Sequence, residues 1–178
     1  MASESASLAV IKAAKEGDDA AFERLLEPLL NQAYRLAAGL LQDHQAAEDA
    51  VQDAAFKAWR KLGQLREGSE MRPWFLAIVA NQCRSSLRSR WQTIAGLDQA
   101  EPVSDPEDEA VVARVELRQA LRAMNQDKRL VLVLHFYLDL PVDEIAATIG
   151  ISPRGAETRL LRATNELKRR MEAHRGRS

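Results

Sequence analysis

The sequence predicts an all-α protein: two small helical domains joined by a flexible acidic linker. Three observations predict it. The residue usage leans to Ala, Leu, Arg and Glu, aromatics make up only 5%, and β-branched residues are never strung into alternating runs. Apolar residues recur at helical spacing between clear start and stop signals. Finally, Gln92 to Ser104 holds Gly, Pro and acids without that spacing, and so divides the 178 residues in two. At 46% hydrophobic and 29% charged, each part can bury a core beneath a charged surface.

The elements follow in order. Ser7 to Lys15 reads as a short helix stopped by Gly17. Asp18 or Asp19 caps a second that runs to about Leu41, with a kink expected at Pro28. Asp43 starts a third, ended near Gly63, and Ser69 caps a fourth that carries Pro73 in its first turn and reaches about Trp91. Asp105-Pro106-Glu107 is a strong helix start, and helices are expected at roughly 106–124, 127–139, 142–149 and 153–173. The expected division is an N-terminal domain over 1–91, a linker over 92–105 and a C-terminal domain over 106–178. Domains this small bury only about 60% of their surface, so each is expected to lean on a partner.

Several function classes are excluded at this level. No apolar stretch reaches the roughly 18 residues a membrane span needs, and Met1-Ala2-Ser3-Glu4 lacks the build of a signal peptide, so no membrane insertion is expected. Cys83 is the sole cysteine, which forbids an internal disulfide and fits the reducing cytoplasm. His44, His135 and His174 lie far apart, so neither a metal nor any other cofactor is expected. There is no Gly-rich phosphate loop and no paired nucleophile and base, so no catalytic residue is assigned and the chain is not expected to be an enzyme.

The formal net charge of −1 conceals a pattern. Ser152 to Ser178 carries eight basic residues against three acids, whereas Asp98 to Glu109 carries six acids and no base. Leading into the basic segment, Pro141 to Leu161 has the build of a helix-turn-helix. Ala146 is small where two helices would cross, Gly150 can take a left-handed turn, and Ser152 caps a second helix with Pro153 at its first position. Helical period places Ala156, Leu160, Ala163, Leu167 and Met171 on a core stripe. Arg154, Thr158, Leu161, Arg162, Asn165 and Arg169 fall opposite, a face suited to the major groove: forked donors for guanine and phosphate, an amide for adenine, a methyl for thymine. Glu157, at the rim, reads equally as an acceptor from cytosine or a plain exposed acid.

Two faces of the N-terminal domain are harder to explain as solvent faces. In the third helix, Asp49, Gln52, Asp53 and Arg60 surround Phe56, opposite a stripe of Ala47, Ala50, Val51, Ala54, Ala55, Ala58 and Leu62. An aromatic ring amid charges marks a protein contact. In the fourth, Phe75, Leu76, Val79, Cys83 and Leu87 face inward, and Cys83 reads as core rather than a reactive thiol. Trp74, Ile78, Asn81, Arg84, Ser85 and Arg88 face the other way, followed by Arg90 and Trp91. Rings, amide and guanidinium groups together suit unstacked bases, although Trp74 and Trp91 taken singly read as well as packing residues.

Ala47-Glu48-Asp49-Ala50-Val51-Gln52-Asp53-Ala54-Ala55-Phe56-Lys57-Ala58-Trp59 resembles region 2 of the extracytoplasmic-function sigma factors of the sigma-70 family, as does Pro73 to Asn81. Ala120 to Leu134, Glu144-Ile145-Ala146, Gly150-Ile151-Ser152 and Arg159 to Ala163 are similar to region 4. The resemblance implies that the Asp49/Gln52/Asp53/Phe56 face docks on the β′ clamp helices of RNA polymerase. It implies that region 2 opens the promoter −10 element and holds a flipped base near Asn81. It further implies that region 4 reads the −35 element and touches the β-flap, and an anti-sigma factor is a common partner in the family. Regions 1.1 and 3 of larger sigma factors have no counterpart. Ser85 stands where the family often has an acid or Asn, and Arg154-Gly155-Ala156-Glu157 stands where it often has Gly-Thr-Val-Lys or Gly-Ala-Val-Lys.

Two rivals are a helix-turn-helix regulator acting without polymerase and a helical adaptor working only through protein contacts. The first leaves the Phe56 face unexplained; the second predicts no salt-dependent DNA affinity.

Overall fold

In the computed structural model, residues 2–66, 68–93 and 109–175 are described, and they form helices with no strand among them. The N-terminal half holds α1 (Ala2–Lys15), α2 (Asp19–Leu41), α3 (His44–Lys61), a 3-10 turn (Leu62–Gln64) and α4 (Met71–Thr93). The C-terminal half holds α5 (Glu109–Arg122), α6 (Gln126–Leu132), a π turn (Val133–Tyr137), α7 (Val142–Ile149) and α8 (Pro153–Arg175).

Helices α2, α3 and α4 pack against one another pairwise, and α1 lies along α2. Small residues make this close packing available: Ala33 and Ala37 of α2 and Ala47, Ala50, Ala54 and Ala58 of α3 are buried. Phe75, Leu76 and Val79 of α4 fill the space between, and removal of each such large side chain from water stabilises the fold by about 1.5–3 kcal/mol. The caps follow the sequence. Asp18 accepts from the Ala21 N–H at 3.0 Å and Asp43 from the Ala46 N–H at 2.9 Å.

Three boundaries differ from expectation. The first helix starts at Ala2 rather than Ser7, whereas α2 runs through Pro28 to Leu41 as expected. Helix α4 begins at Met71, so Ser69 is not its cap: the Ser69 N–H closes a turn onto the Arg66 carbonyl at 3.1 Å, with Gly68 left-handed at φ 77°. The same helix runs on to Thr93, two residues beyond the expected end. The rest of the expected linker, from residue 94, lies outside the described residues.

The helix expected over 127–139 is α only to Leu132. It then widens into the π turn, closed by the Leu138 N–H on the Val133 carbonyl at 3.0 Å, and Asp139 reverses the chain at φ 55°. The wider turn buries Val133 and Leu134 while Phe136 and Tyr137 stay exposed.

The two halves share one continuous apolar core, in which Leu36 and Leu40 of α2 join Leu130, Val131, Val133 and Leu134. Arg129 fastens this joint. Its guanidinium donates to the carbonyls of Leu121 (2.8 Å), Arg122 (2.8 Å), Met124 (3.3 Å) and Leu40 (3.0 Å). They are carbonyls at and just past the ends of α5 and α2, and that of Leu121 also accepts from the Met124 N–H at 3.1 Å. Helix α2 has no basic residue in its own last turn, so Arg129 supplies the cation that the end favours.

Candidate nucleic-acid interface

The sharpest local geometry is the turn between α7 and α8. Gly150 ends α7 at φ 70°, and its N–H and that of Ile151 both return to the Ala146 carbonyl. The Ser152 hydroxyl accepts from the Gly155 N–H at 3.2 Å, and Pro153 opens α8. Ala146 and Ala156 are buried where the two helices cross.

That crossing sets the rotation of α8. Ala156 and Ala163 are buried and Leu160, Leu167 and Met171 half-buried, while Arg154, Thr158, Leu161, Arg162, Asn165 and Arg169 are all exposed. Leu161 is 63% exposed, an apolar side chain held in water among cations. The Thr158 hydroxyl donates to the Arg154 carbonyl at 2.9 Å. On the inner side, Glu166 accepts from Lys128 at 2.5 Å and from Arg170 at 2.9 Å, tying α8 to α6. Those hydrogen bonds, Lys128 first, hold the Glu166 carboxyl below the usual carboxylate range.

On α3, Asp49, Gln52, Asp53, Phe56 and Arg60 are exposed together. Phe56 is 59% exposed, Arg60 lies over its ring at 5.8 Å, and Trp59 stacks beside it at 6.1 Å between centroids. Sequence reasoning did not assign Trp59 to this face, though its spacing of three from Phe56 on a helix is the signal that finds it. The Trp59 indole donates to Asp19 at 3.2 Å, and Asp53 accepts from Gln82 at 2.6 Å, which fixes this face to α2 and α4.

On α4, Phe75, Leu76, Val79 and Cys83 are buried and Leu87 half-buried, and burial pushes the Cys83 thiol up to about 12. Asn81, Ser85 and Arg88 are exposed. Trp74 and Ile78, however, are half-buried against the shared core. Arg84 donates to Asn81 at 3.1 Å and pairs with Asp127 of α6 at 2.6 Å. The C-terminal half thus lies along part of this face. The side chains of Arg90 and Trp91 lie outside the described residues. Among the described residues no group of His, Cys, Asp and Glu could hold a metal, and no helix is long and apolar enough to cross a membrane.

Two family models match in chain order: "Sigma-70 region 2" over residues 25–93 and "Sigma-70, region 4" over residues 114–167. RNA polymerase sigma factor CarQ of Myxococcus xanthus is 30% identical over 86% of this chain and 91% of its own. This chain belongs to the sigma-70 family of RNA polymerase sigma factors.

Its relatives include the ECF RNA polymerase sigma factor SigM of Mycobacterium tuberculosis, 28% identical over 86% of this sigma factor and 78% of SigM. The probable RNA polymerase sigma factor RfaY of Xanthomonas campestris pv. campestris is 29% identical over 89% of this chain, which spans 43% of that longer protein. Among solved structures, the sigma factor RpoE of Bartonella quintana in complex with the anti-sigma factor NepR matches with a TM-score of 0.65 and 26% identity, covering 85% of this chain and 96% of that one. In this sigma factor the region 2 match takes in α3 and α4 and most of α2; the region 4 match takes in α6, α7 and parts of α5 and α8.

Proposed function

We propose that this sigma factor reads a −35 element as duplex with the outer face of α8 and a −10 element as single strand with the face of α4, while α3 holds it on RNA polymerase. Promoter recognition and transcription initiation are the work of its family. The observation that carries the finer reading is the sorting of α8. Six residues able to contact phosphates and base edges are exposed on one side, behind a capped turn whose crossing residues are buried on the other.

The reading is one of binding energy, with no bond chemistry and no cofactor. Arg154, Arg162 and Arg169 neutralise phosphate and select guanine, and Asn165 and the Thr158 methyl read adenine and thymine. On α4, Trp74 and Ile78 stack or pack against unpaired bases, Asn81 and Ser85 meet base edges, and Arg84, Arg88, Arg90 and Trp91 follow the strand. Asp49, Gln52, Asp53, Phe56 and Arg60 meet the β′ clamp helices, and region 4 meets the β-flap. The proposed division is region 2 over 1–91, a linker over 92–105 and region 4 over 106–178. The linker lets both regions reach their sites from one docked molecule. The site of action is the cytoplasm, where polymerase and promoter are. The likeness to a sigma factor crystallised with an anti-sigma factor supports a partner of that kind here as well.

The test is run-off transcription with purified core polymerase on a library of promoter sequences. The chain should select start sites with two conserved blocks. Asp53→Ala with Phe56→Ala should abolish co-purification with core polymerase while duplex binding persists. Arg154→Ala with Arg162→Ala should do the reverse. Failure of the unmodified chain to select any start site would overturn the reading.

A further inference from the structure

We infer that Glu157 selects a cytosine in the upstream duplex, so that the −35 element of this sigma factor carries a C·G pair that Glu157 distinguishes from the other three pairs. The inference rests on the proposed role of α8 and names one base of what that helix reads.

Helical period set Glu157 at the edge of the DNA face, and the pattern of exposure brings it in. The outer side of α8 runs through Arg154, Glu157, Thr158, Leu161, Arg162 and Asn165, all exposed, while Gly155 and Arg159 are half-buried. At about 100° per residue, Glu157 stands about 60° to one side of Arg154 and Arg162 about 80° to the other. Glu157 thus flanks the face as Arg162 does. It also lies in the N-terminal part of α8, the part of a recognition helix that meets base edges in the major groove.

No contact within the protein accounts for this acid. Among the described residues Glu157 forms no ion pair or hydrogen bond, although Arg154 lies one turn before it on the same side. The next acid along α8, Glu166, is half-buried and clasped by Lys128 and Arg170. Nor does Glu157 serve the helix start. Ser152 already caps it, and the first helical bond, from the Ala156 N–H to the Ser152 carbonyl at 2.9 Å, precedes Glu157. The charge therefore lies beyond the free N–H groups that favour an acid.

On a surface that meets DNA such an acid has few outlets. A carboxylate only accepts, and phosphate oxygens, guanine N7 and O6 and thymine O4 are acceptors that repel it. Two base groups donate into the major groove, cytosine N4 and adenine N6. Adenine sets its N7 acceptor directly beside N6, whereas cytosine carries no acceptor of its own next to N4 there. Cytosine is the base that a carboxylate at position 157 favours, and repulsion from the others adds to the discrimination.

The test uses holoenzyme formed from the full chain and core polymerase on a promoter library randomised through the upstream block, with a barcode in each transcript reporting its promoter. One position should prefer cytosine on one strand by about tenfold. Glu157→Ala should remove that preference and leave the other positions of the block as they were. Glu157→Gln should move it towards adenine, whose N6 and N7 suit an amide. A helix disturbed by substitution does not exchange one base for another, and the unchanged positions report that each variant is folded. If Glu157→Ala keeps the cytosine preference, or the unmodified chain selects an upstream block with no cytosine-selective position, the acid is a plain exposed charge. The inference is then overturned and the reading of α8 stands. An upstream block that is absent altogether, or that Arg154→Ala with Arg162→Ala leaves unchanged, would overturn the reading of α8 and the inference with it.

Discussion

Arg129 holds more backbone ends than any other described side chain. It is buried, its four acceptors are neutral carbonyls, and burial followed by the nearby Arg122 lowers its pKa. Removal takes this donor from the carbonyls of Leu40, Arg122 and Met124 at an apolar joint. Arg129→Ala should therefore cost about 3 kcal/mol in denaturant unfolding. Arg129→Lys should recover little of it, because an ammonium lacks the planar fork that reaches two helix ends. A loss under 1 kcal/mol would show the bridge to be dispensable. At Cys83 the expected outcome is inertness. With the thiol near 12, the thiolate at pH 8 is on the order of one part in ten thousand, so a thiol reagent should label the native chain only after denaturant is added. The sequence revealed Cys83 as core from its apolar stripe. It gave no sign that Arg129 differs from the other arginines, because the acceptors come from helix ends far away in the chain.

Helix α8 must show one face to DNA and keep the other fixed, and Glu166 does the fixing through Lys128 and Arg170. Its pKa is depressed in the folded chain, so the clasp contributes stability above the unfolded carboxylate pKa and loses it as pH falls through the lower folded value. Glu166→Gln should destabilise by about 1 kcal/mol at pH 7, and the difference from the unmodified chain should vanish in strong acid. A difference that stays constant across the acid range would exclude the carboxylate as its source. Helix periodicity sorted α8 correctly because its punctuation is strong: Gly150 at φ 70°, a Ser152 cap and Pro153 at the first position. It also placed a helix at 127–139, but it gave no sign that the helix widens into a π turn over Val133–Tyr137.

At the scale of the whole molecule, the two halves matched by separate family models share one core. The chain should therefore unfold in a single calorimetric transition. Gly39→Leu, which separates the halves at their joint, should split that transition in two. Two transitions in the unmodified chain would show that the halves fold independently of their contact. The acidic segment between them falls mostly outside the described residues, so the sequence remains its only description.

Composition, caps and helical spacing, all of them local, determined the all-helical class, most helix starts and the outward faces of α3 and α8. Such features decide φ/ψ and which side of a helix is apolar. Tertiary structure alone decided that Trp74 and Ile78 are half-buried against the shared core, that Arg84 pairs with Asp127, that Arg129 reaches two helix ends, and that Gly39 receives Val133. Each of these depends on residues distant in the chain being brought together, and one helix's periodicity carries no information about which neighbour covers its exposed face.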